Sequence, residues 1–244
     1  MQLVYLYHSG FAIKAQGVTL VVDYYHDTDA HEPLHGVLHD RLLRREGAFY
    51  VLSSHFHPDH FNPEVLQWKT VRPDIQYIFS RDILRHHRAQ KEDAFYLKKG
   101  EVYADDRLRI KAFGSTDVGV SFLIDLQGRR IFHAGDLNNW HWSEESTPEE
   151  IHKAEGDFLA EVRDIEDGIQ DRPSLDLALF PVDSRMGRDY MRGATQFVGR
   201  IPTAAFAPMH FGENYTDGNA FAPIAEAHGA KFLFIRERGQ LFQF

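Results

Sequence analysis

The run Ala48 to Ser53 is short, apolar and β-prone, and it leads directly into His55-Phe56-His57-Pro58-Asp59-His60. Any fold that accepts this chain must bury that strand and carry three imidazoles and a carboxylate on the loop at its end, as a rigid scaffold with a functional rim does. His55 and His57 are two residues apart, so in an extended segment their side chains leave the same side of the backbone. Pro58 disfavours the helical region at the residue before it, which keeps His57 extended. It then bends the chain, and Asp59 and His60 can return towards the same point. Neutral imidazole and carboxylate suit zinc, manganese or iron, and the absence of any cysteine excludes a thiolate zinc site. The competing reading is a solvated loop, because a chain with 15 His in 244 residues produces clusters by chance.

Around this run the periodicity is that of mixed α and β structure. Leu3 to Tyr7, Phe11 to Ala15 and Val18 to Val22 are β-prone runs separated by Ser9-Gly10 and Gln16-Gly17, the pattern of an antiparallel meander. Leu34 to Arg45 has helical spacing, Pro63 opens a short helix over Glu64 to Trp68, Ile75 to Phe79 reads as a strand and Arg81 to Ala89 as a helix. Leu108 to Phe113, Val120 to Leu126 and Arg130 to Phe132 are further β-runs. Thr147-Pro148-Glu149-Glu150 is a capping box with proline at the first helical position, and the apolar spacing from Ile151 to Ile169 predicts about five helical turns. The acidic face of that helix suits an outer packing helix, an active-site lid or a dimer contact. Asp189 to Ile201 and Phe221 to His228 read as the last helices, and Lys231 to Phe244 as a closing hairpin turning at Arg238-Gly239. Residues 1–244 are expected to form a single domain.

Composition narrows the function classes. No run reaches the ~18 apolar residues that span a bilayer, and Met1 to Tyr5 enters a strand-like pattern without the regions of a signal peptide, so the expected location is cytoplasmic and no membrane partner is expected. Lys and Arg total 27 against 36 Asp and Glu, and the formal charge of -9 disfavours nucleic acid as a partner. A small-molecule substrate is the expected partner, with homo-oligomerisation left open.

His55-Phe56-His57-Pro58-Asp59-His60 resembles the H-x-H-x-D-H signature of the metallo-β-lactamase superfamily. Four other motifs follow the family's order: Tyr7-His8-Ser9-Gly10-Phe11 with Leu20-Val21-Val22-Asp23, Ile131-Phe132-His133-Ala134-Gly135-Asp136, Leu175 to Val182, and Ala207-Pro208-Met209-His210-Phe211. The opening hairpin looks like that of the branch containing ascorbate-6-phosphate lactonases. The resemblance implies an α/β fold, a four-layer αβ/βα metallo-β-lactamase-like sandwich. It further implies two divalent metal ions (zinc, or manganese or iron), with His55 and His57 on the first, Asp59, His60 and His210 on the second, and Asp136 bridging. Where the family usually supplies a further histidine, this chain has Gly114-Ser115-Thr116-Asp117. Asp117 either takes the ligand position or caps a turn.

The activity implied is that of a metal-dependent hydrolase in which a dinuclear centre activates hydroxide, Asp59 orients it, and a small polar, anionic substrate is cleaved at a lactone, ester, amide or phosphodiester bond. Alternatives are a phosphodiesterase or nuclease, whose basic track would come from Arg81, Arg85, Arg88, Lys91, Lys98 and Lys99, and a non-catalytic metal or ligand sensor. His8 at the first hairpin reads either as a substrate contact or as a structural histidine. A carboxylate buried at Asp23 would need a partner, which fits support of a ligating histidine. The run Asn138 to Trp142 reads as a pocket wall, with Asn138 a substrate contact and His141 the candidate general acid. Arg185 either holds a substrate anion or pairs with a local Asp.

Overall fold

The computed structural model describes residues 1–32 and 34–244. Gln2–Tyr7 (β1), Gly10–Ala15 (β2) and Val18–Val22 (β3) form the antiparallel meander. Ala48–Ser53 (β4) joins β3 in parallel, followed outward by Gln76–Ser80 (β5) and Phe95–Leu97 (β6). Alternation gives this sheet two apolar faces. Leu3, Tyr5, Phe11, Ile13, Leu20 and Val22 enter the larger core, whereas Val4, Leu6, Ala12, Val21, Phe49 and Val51 enter a second one. Both faces must therefore be covered. The second core is closed by a π-helical turn at Leu38–Leu42, a 3₁₀ segment at Pro63–Thr70 and the short helix Arg81–Arg85 (α1), through Leu38, Leu42, Val65, Trp68 and Ile83.

The larger core lies between this sheet and a second one. Val102–Ala104 (β7), Leu108–Phe113 (β8), Ser121–Leu126 (β9) and Arg129–His133 (β10) run antiparallel, and Leu177–Pro181 (β11), Ala205–Met209 (β12) and Lys231–Phe232 (β13) continue in parallel. Helix Pro148–Gly168 (α2) begins at the predicted capping box, in which Thr147 and Glu150 cap each other reciprocally. It buries Phe158, Val162 and Ile165, each worth about 1.5–3 kcal/mol of apolar transfer. Arg192–Arg200 (α3), Tyr215–Asn219 (α4) and Ala222–Ala227 (α5) complete that side. The result is helical segments, two seven-stranded sheets and helices in four layers. No helix among the described residues is long and apolar enough to cross a membrane.

Three expected elements differ. Leu34 to Arg45 is not a continuous helix: the turn begins at Leu38, where the buried Asp27 carboxylate accepts the backbone N–H groups of Leu38 and His39, and Leu34 is exposed. The helix from Arg81 stops at Arg85 rather than reaching Ala89. Lys231 to Phe244 is not a hairpin. Its first strand extends the second sheet beside β12, whereas Leu241–Gln243 (β14) crosses to the first sheet and pairs with β1.

The topology brings five loops to one edge. They follow β4, β8, β10, β11 and β12, and all but β8 are strands whose carboxyl ends open there from parallel pairings, the usual place for a ligand site in an open α/β sheet.

Candidate metal centre

Asp23 anchors the histidine loop. It ends β3 with φ 48°, fully buried, and accepts the Ser54 N–H at 2.7 Å and the Ser54 hydroxyl at 2.6 Å. The same carboxylate accepts Nδ1–H of His60 at 2.7 Å. Because the Ser54 hydroxyl proton is spent on Asp23, its oxygen is left to accept Nδ1–H of His55 at 3.0 Å. On the other sheet, Asp183 at the end of β11 accepts Nδ1–H of His210 at 2.9 Å. His55, His60 and His210 thus each spend Nδ1 on a supporting oxygen and keep an Nε2 lone pair for the centre, the arrangement that fixes a metal-ligating imidazole.

Two groups of donors result. His55, His57, Asp117 and Asp136 form one, and His8, Asp59, His60 and His210 the other, with the donor atoms of each group all within 4.8 Å of one another. Asp136 faces both: one oxygen lies 3.4 Å from His55 Nε2, the other 3.0 Å from His60 Nε2 and 3.3 Å from His210 Nε2. His57 presents Nδ1, 3.0 Å from His55 Nε2 and 3.5 Å from Asp117. The structure therefore brings Asp117 beside His57, in one group of donors with His55 and Asp136. Its loop is seated by Gly119 (φ 75°), where a Cβ would strike the Ser54 carbonyl and His55.

Asp59 Oδ2 lies 3.3 Å from His8 Nε2 and 3.7 Å from His60 Nε2. Burial pushes the Asp59 carboxyl up, but His8, His60 and His210 outweigh it and hold it below the ordinary carboxylate range. Asp136 is likewise raised by burial and carried well below that range by His60 and His210. Both are anions, the form a ligand needs. Burial opposes charge on His60, yet Asp136 and Asp23 raise it well above the usual imidazole value. A cation held by Asp136 and His60 would take the place of that proton, so its binding would release protons.

The fit to a metal is tested by the polar atoms left over. Buried polar groups in proteins are almost always paired, yet His60 Nε2 and Asp136 Oδ1 are buried without hydrogen-bond partners, facing each other across 3.0 Å without hydrogen-bond alignment. Backbone strain collects there too, since His8 (φ 57°), Asp23 and His210 (φ 66°) are all left-handed without being glycine.

Two recesses open on the centre. The larger, about 600 Å³, has Tyr7, His8, Tyr25, Asp59 and Arg185 in its wall. The smaller, about 330 Å³, is bounded by Thr116, Asp117, Trp140, Trp142 and Arg185. Arg185 sits on the divide, its Nε and Nη2 held by Asp183, so the local ion pair is formed while the side chain still borders both recesses.

Two expected substrate or acid groups are placed elsewhere. His141 is buried, with Nδ1 accepting the Ser143 N–H at 3.2 Å and Nε2 donating to the Asp189 carbonyl at 3.1 Å, so its ring has no proton to give to the site. Asn138 is also fully buried. It binds Thr116 and Asn139 through its backbone and side chain and lies against Gly193 of α3, so it ties loops together behind the recess wall. From that run the indoles of Trp140 and Trp142 reach the recess, Trp140 fixed by Nε1–H donation to the Asp136 carbonyl at 2.8 Å. His133 is a core histidine, donating to the Ser9 carbonyl and accepting the Gly135 N–H. Sequence reasoning missed Ser54 and the role of Asp183 beneath His210. For Ser54, a hydroxyl adjoining the first ligand was the available signal.

The family model of the beta-lactamase superfamily domain matches residues 2–153. No protein of curated function matches the chain by sequence. Among solved structures, the chain is similar to a metallo hydrolase from the hyperthermophilic archaeon Ignicoccus hospitalis, with TM-score 0.66, 17% identity, and coverage of 100% of this chain and 98% of that one. It is similar to an isothiocyanate hydrolase from Delia radicum gut bacteria, with TM-score 0.61, 15% identity and coverage of 100% and 99%. A diiron β-hydroxylase from Streptomyces venezuelae matches with TM-score 0.67 and 12% identity over 100% of this chain and 54% of its own. At such identities the likeness is one of fold.

Proposed function

The chain belongs to the beta-lactamase superfamily, and on that premise we propose that it is a metal-dependent hydrolase acting on a small, polar, anionic molecule. His55, His57 and Asp117 would hold one divalent ion, Asp59, His60 and His210 a second, and Asp136 would bridge them. Metal ions at such a centre lower the pKa of water to near neutrality and act as Lewis acids on the bond under attack. Everything else falls to the side chains. Asp59, about one-third exposed at the floor of the larger recess, accepts a hydrogen bond from attacking water and orients it. Asp23, Ser54 and Asp183 keep the imidazoles aimed inward.

Two divalent ions and Arg185 would balance the five carboxylates Asp23, Asp59, Asp117, Asp136 and Asp183, so an anionic substrate would be drawn by the metal ions and Arg185 locally rather than by net charge. With Nε and Nη2 of Arg185 on Asp183, Nη1 is the donor that a substrate anion would meet. Lactone, ester, amide and phosphodiester bonds all suit this chemistry. A nucleic-acid substrate is less well supported, since Arg81 pairs with Glu101 and Lys99 with Glu161 and Asp164, which removes much of the basic track it would need.

The observation that carries this reading is the convergence of buried, unpartnered His60 Nε2 and Asp136 Oδ1 with the anchored imidazoles of His55 and His210. The test is turnover of an ester, lactone and phosphodiester panel by the metal-loaded protein. Hydrolysis that Asp59→Asn removes supports the reading. Metal binding without turnover of any panel member would instead indicate a sensor.

A further inference from the structure

His8 is grouped by distance with the ligands of the second position, but its hydrogen bonds run the opposite way. In His55, His60 and His210 the nitrogen remote from the centre donates to an oxygen. In His8 the remote nitrogen accepts: the backbone N–H of Gly212 donates to Nδ1 at 3.1 Å. A neutral imidazole has one donor and one acceptor, so an accepting Nδ1 places the proton on Nε2. That Nε2–H points into the centre, 3.3 Å from Asp59 Oδ2.

The arrangement is held from several sides. The His8 N–H donates to the Tyr5 hydroxyl at 2.9 Å, the His8 carbonyl accepts the His210 N–H at 3.2 Å, and the His8 ring lies 4.2 Å from the His210 ring. Gly212, the donor to Nδ1, is itself left-handed (φ 57°) and follows the loop that carries His210. Moving the ring proton to Nδ1 so that Nε2 could offer a lone pair to a cation would set that proton against the Gly212 N–H and break this hydrogen bond.

We infer that His8 is not a metal ligand but a catalytic hydrogen-bond donor, which presents Nε2–H to the substrate oxygen that gains negative charge in the transition state. The catalytic half of this statement rests on the hydrolase reading; the donor assignment does not. Without substrate the N–H has no hydrogen-bond partner, Asp59 Oδ2 lying 3.3 Å away but out of line with it. A substrate oxygen entering from the larger recess, which His8 and Asp59 both line, would take this unpaired N–H. No proton is transferred. The donor is fixed in advance, so it stabilises the developing charge without reorganisation.

Three readouts test this on the full-length protein. In protein with ¹⁵N-labelled histidine, loaded with zinc, two-bond proton–nitrogen correlation should show His8 as the Nε2–H tautomer, with its signals assigned by their loss in His8→Gln. Metal content should stay at the wild-type level in His8→Ala while it falls in His60→Ala. On the best-turned-over panel substrate, His8→Ala should lower kcat by about 10²–10³ with KM little changed, as loss of one oxyanion donor does elsewhere. His8→Gln, whose amide can still donate, should recover at least about tenfold of that loss. An Nδ1–H tautomer, or metal loss in His8→Ala equal to that in His60→Ala, would overturn the donor assignment. Equal turnover by wild type and His8→Ala would overturn the catalytic role. If the panel yields no turnover at all, the catalytic role falls together with the hydrolase reading, while tautomer and metal content still decide donor against ligand.

Discussion

The two halves of the centre are built to different standards. In the half containing His60 and His210 the imidazoles are almost fully buried, and each is braced by a carboxylate that is itself buried, Asp23 or Asp183. In the other half, His55 is buried and braced by the Ser54 hydroxyl, but His57 and Asp117 are 37% and 39% exposed and face each other across 3.5 Å. A ligand that is already oriented and desolvated loses little entropy on binding, whereas an exposed one must be ordered first. Two ions in this centre should therefore bind unequally, the one between Asp59, His60 and His210 tightly and the one between His55, His57 and Asp117 weakly. Asp117 falls in the half expected to be weaker.

The largest effect is expected where the halves join. Asp136→Asn removes the bridging charge, and we expect loss of both ions and at least about a 10³-fold fall in turnover, measured by metal analysis and panel kinetics. If both ions stay bound, Asp136 does not bridge. Asp23→Asn should come next, weakening metal at the buried half by about 10–100-fold in a competition titration with a chelating dye. An unchanged affinity would show that the bracing of His60 contributes nothing. Asp117→Asn should act on the exposed half alone, so that one ion per chain remains with the affinity of the tighter wild-type site. If the tighter ion is lost instead, the ranking of the halves is reversed.

The smallest effect concerns the scaffold behind the buried half. His39 bridges Asp27 and Glu64 at 2.7 Å each, joining the turn at residues 38–42 to the 3₁₀ segment that follows His60. Burial alone would lower this imidazole, but the two carboxylates reverse that and raise it to about 9. A folded-state pKa above the unfolded value means that the stabilisation is fully present below about pH 6.5 and is lost as pH rises through about 9. His39→Gln should therefore cost about 1–2 kcal/mol at pH 6, read from denaturant unfolding, and much less at pH 10. A deficit that does not change with pH would show that His39 acts by packing and not by charge.

Most of the frame was legible because local pattern and tertiary role agree. The meander over β1 to β3 alternates on both faces, β4 runs into the histidines, and Thr147 to Glu150 caps α2 as its residues predict. What could not be read depends on distant partners. The two final strands look like a hairpin locally, but each is recruited to a different sheet by an edge that the local sequence does not encode, β12 for one and β1 for the other. The residues that gather at the centre could be named from the sequence, Asp117 among them. The direction of a ring could not be read. In one dimension His141 reads as the acid and His8 as a substrate contact or a structural histidine, and only the backbone groups of Asp189, Ser143 and Gly212 decide that the first is used up and the second faces the centre.

The most direct test of an unequal two-ion centre is metal stoichiometry by plasma mass spectrometry on untagged protein purified without chelator, before and after dialysis against a weak chelator. About two transition-metal ions per chain are expected beforehand and about one afterwards, the survivor lost in Asp23→Asn. One ion or none before dialysis, or two that leave together, would contradict it.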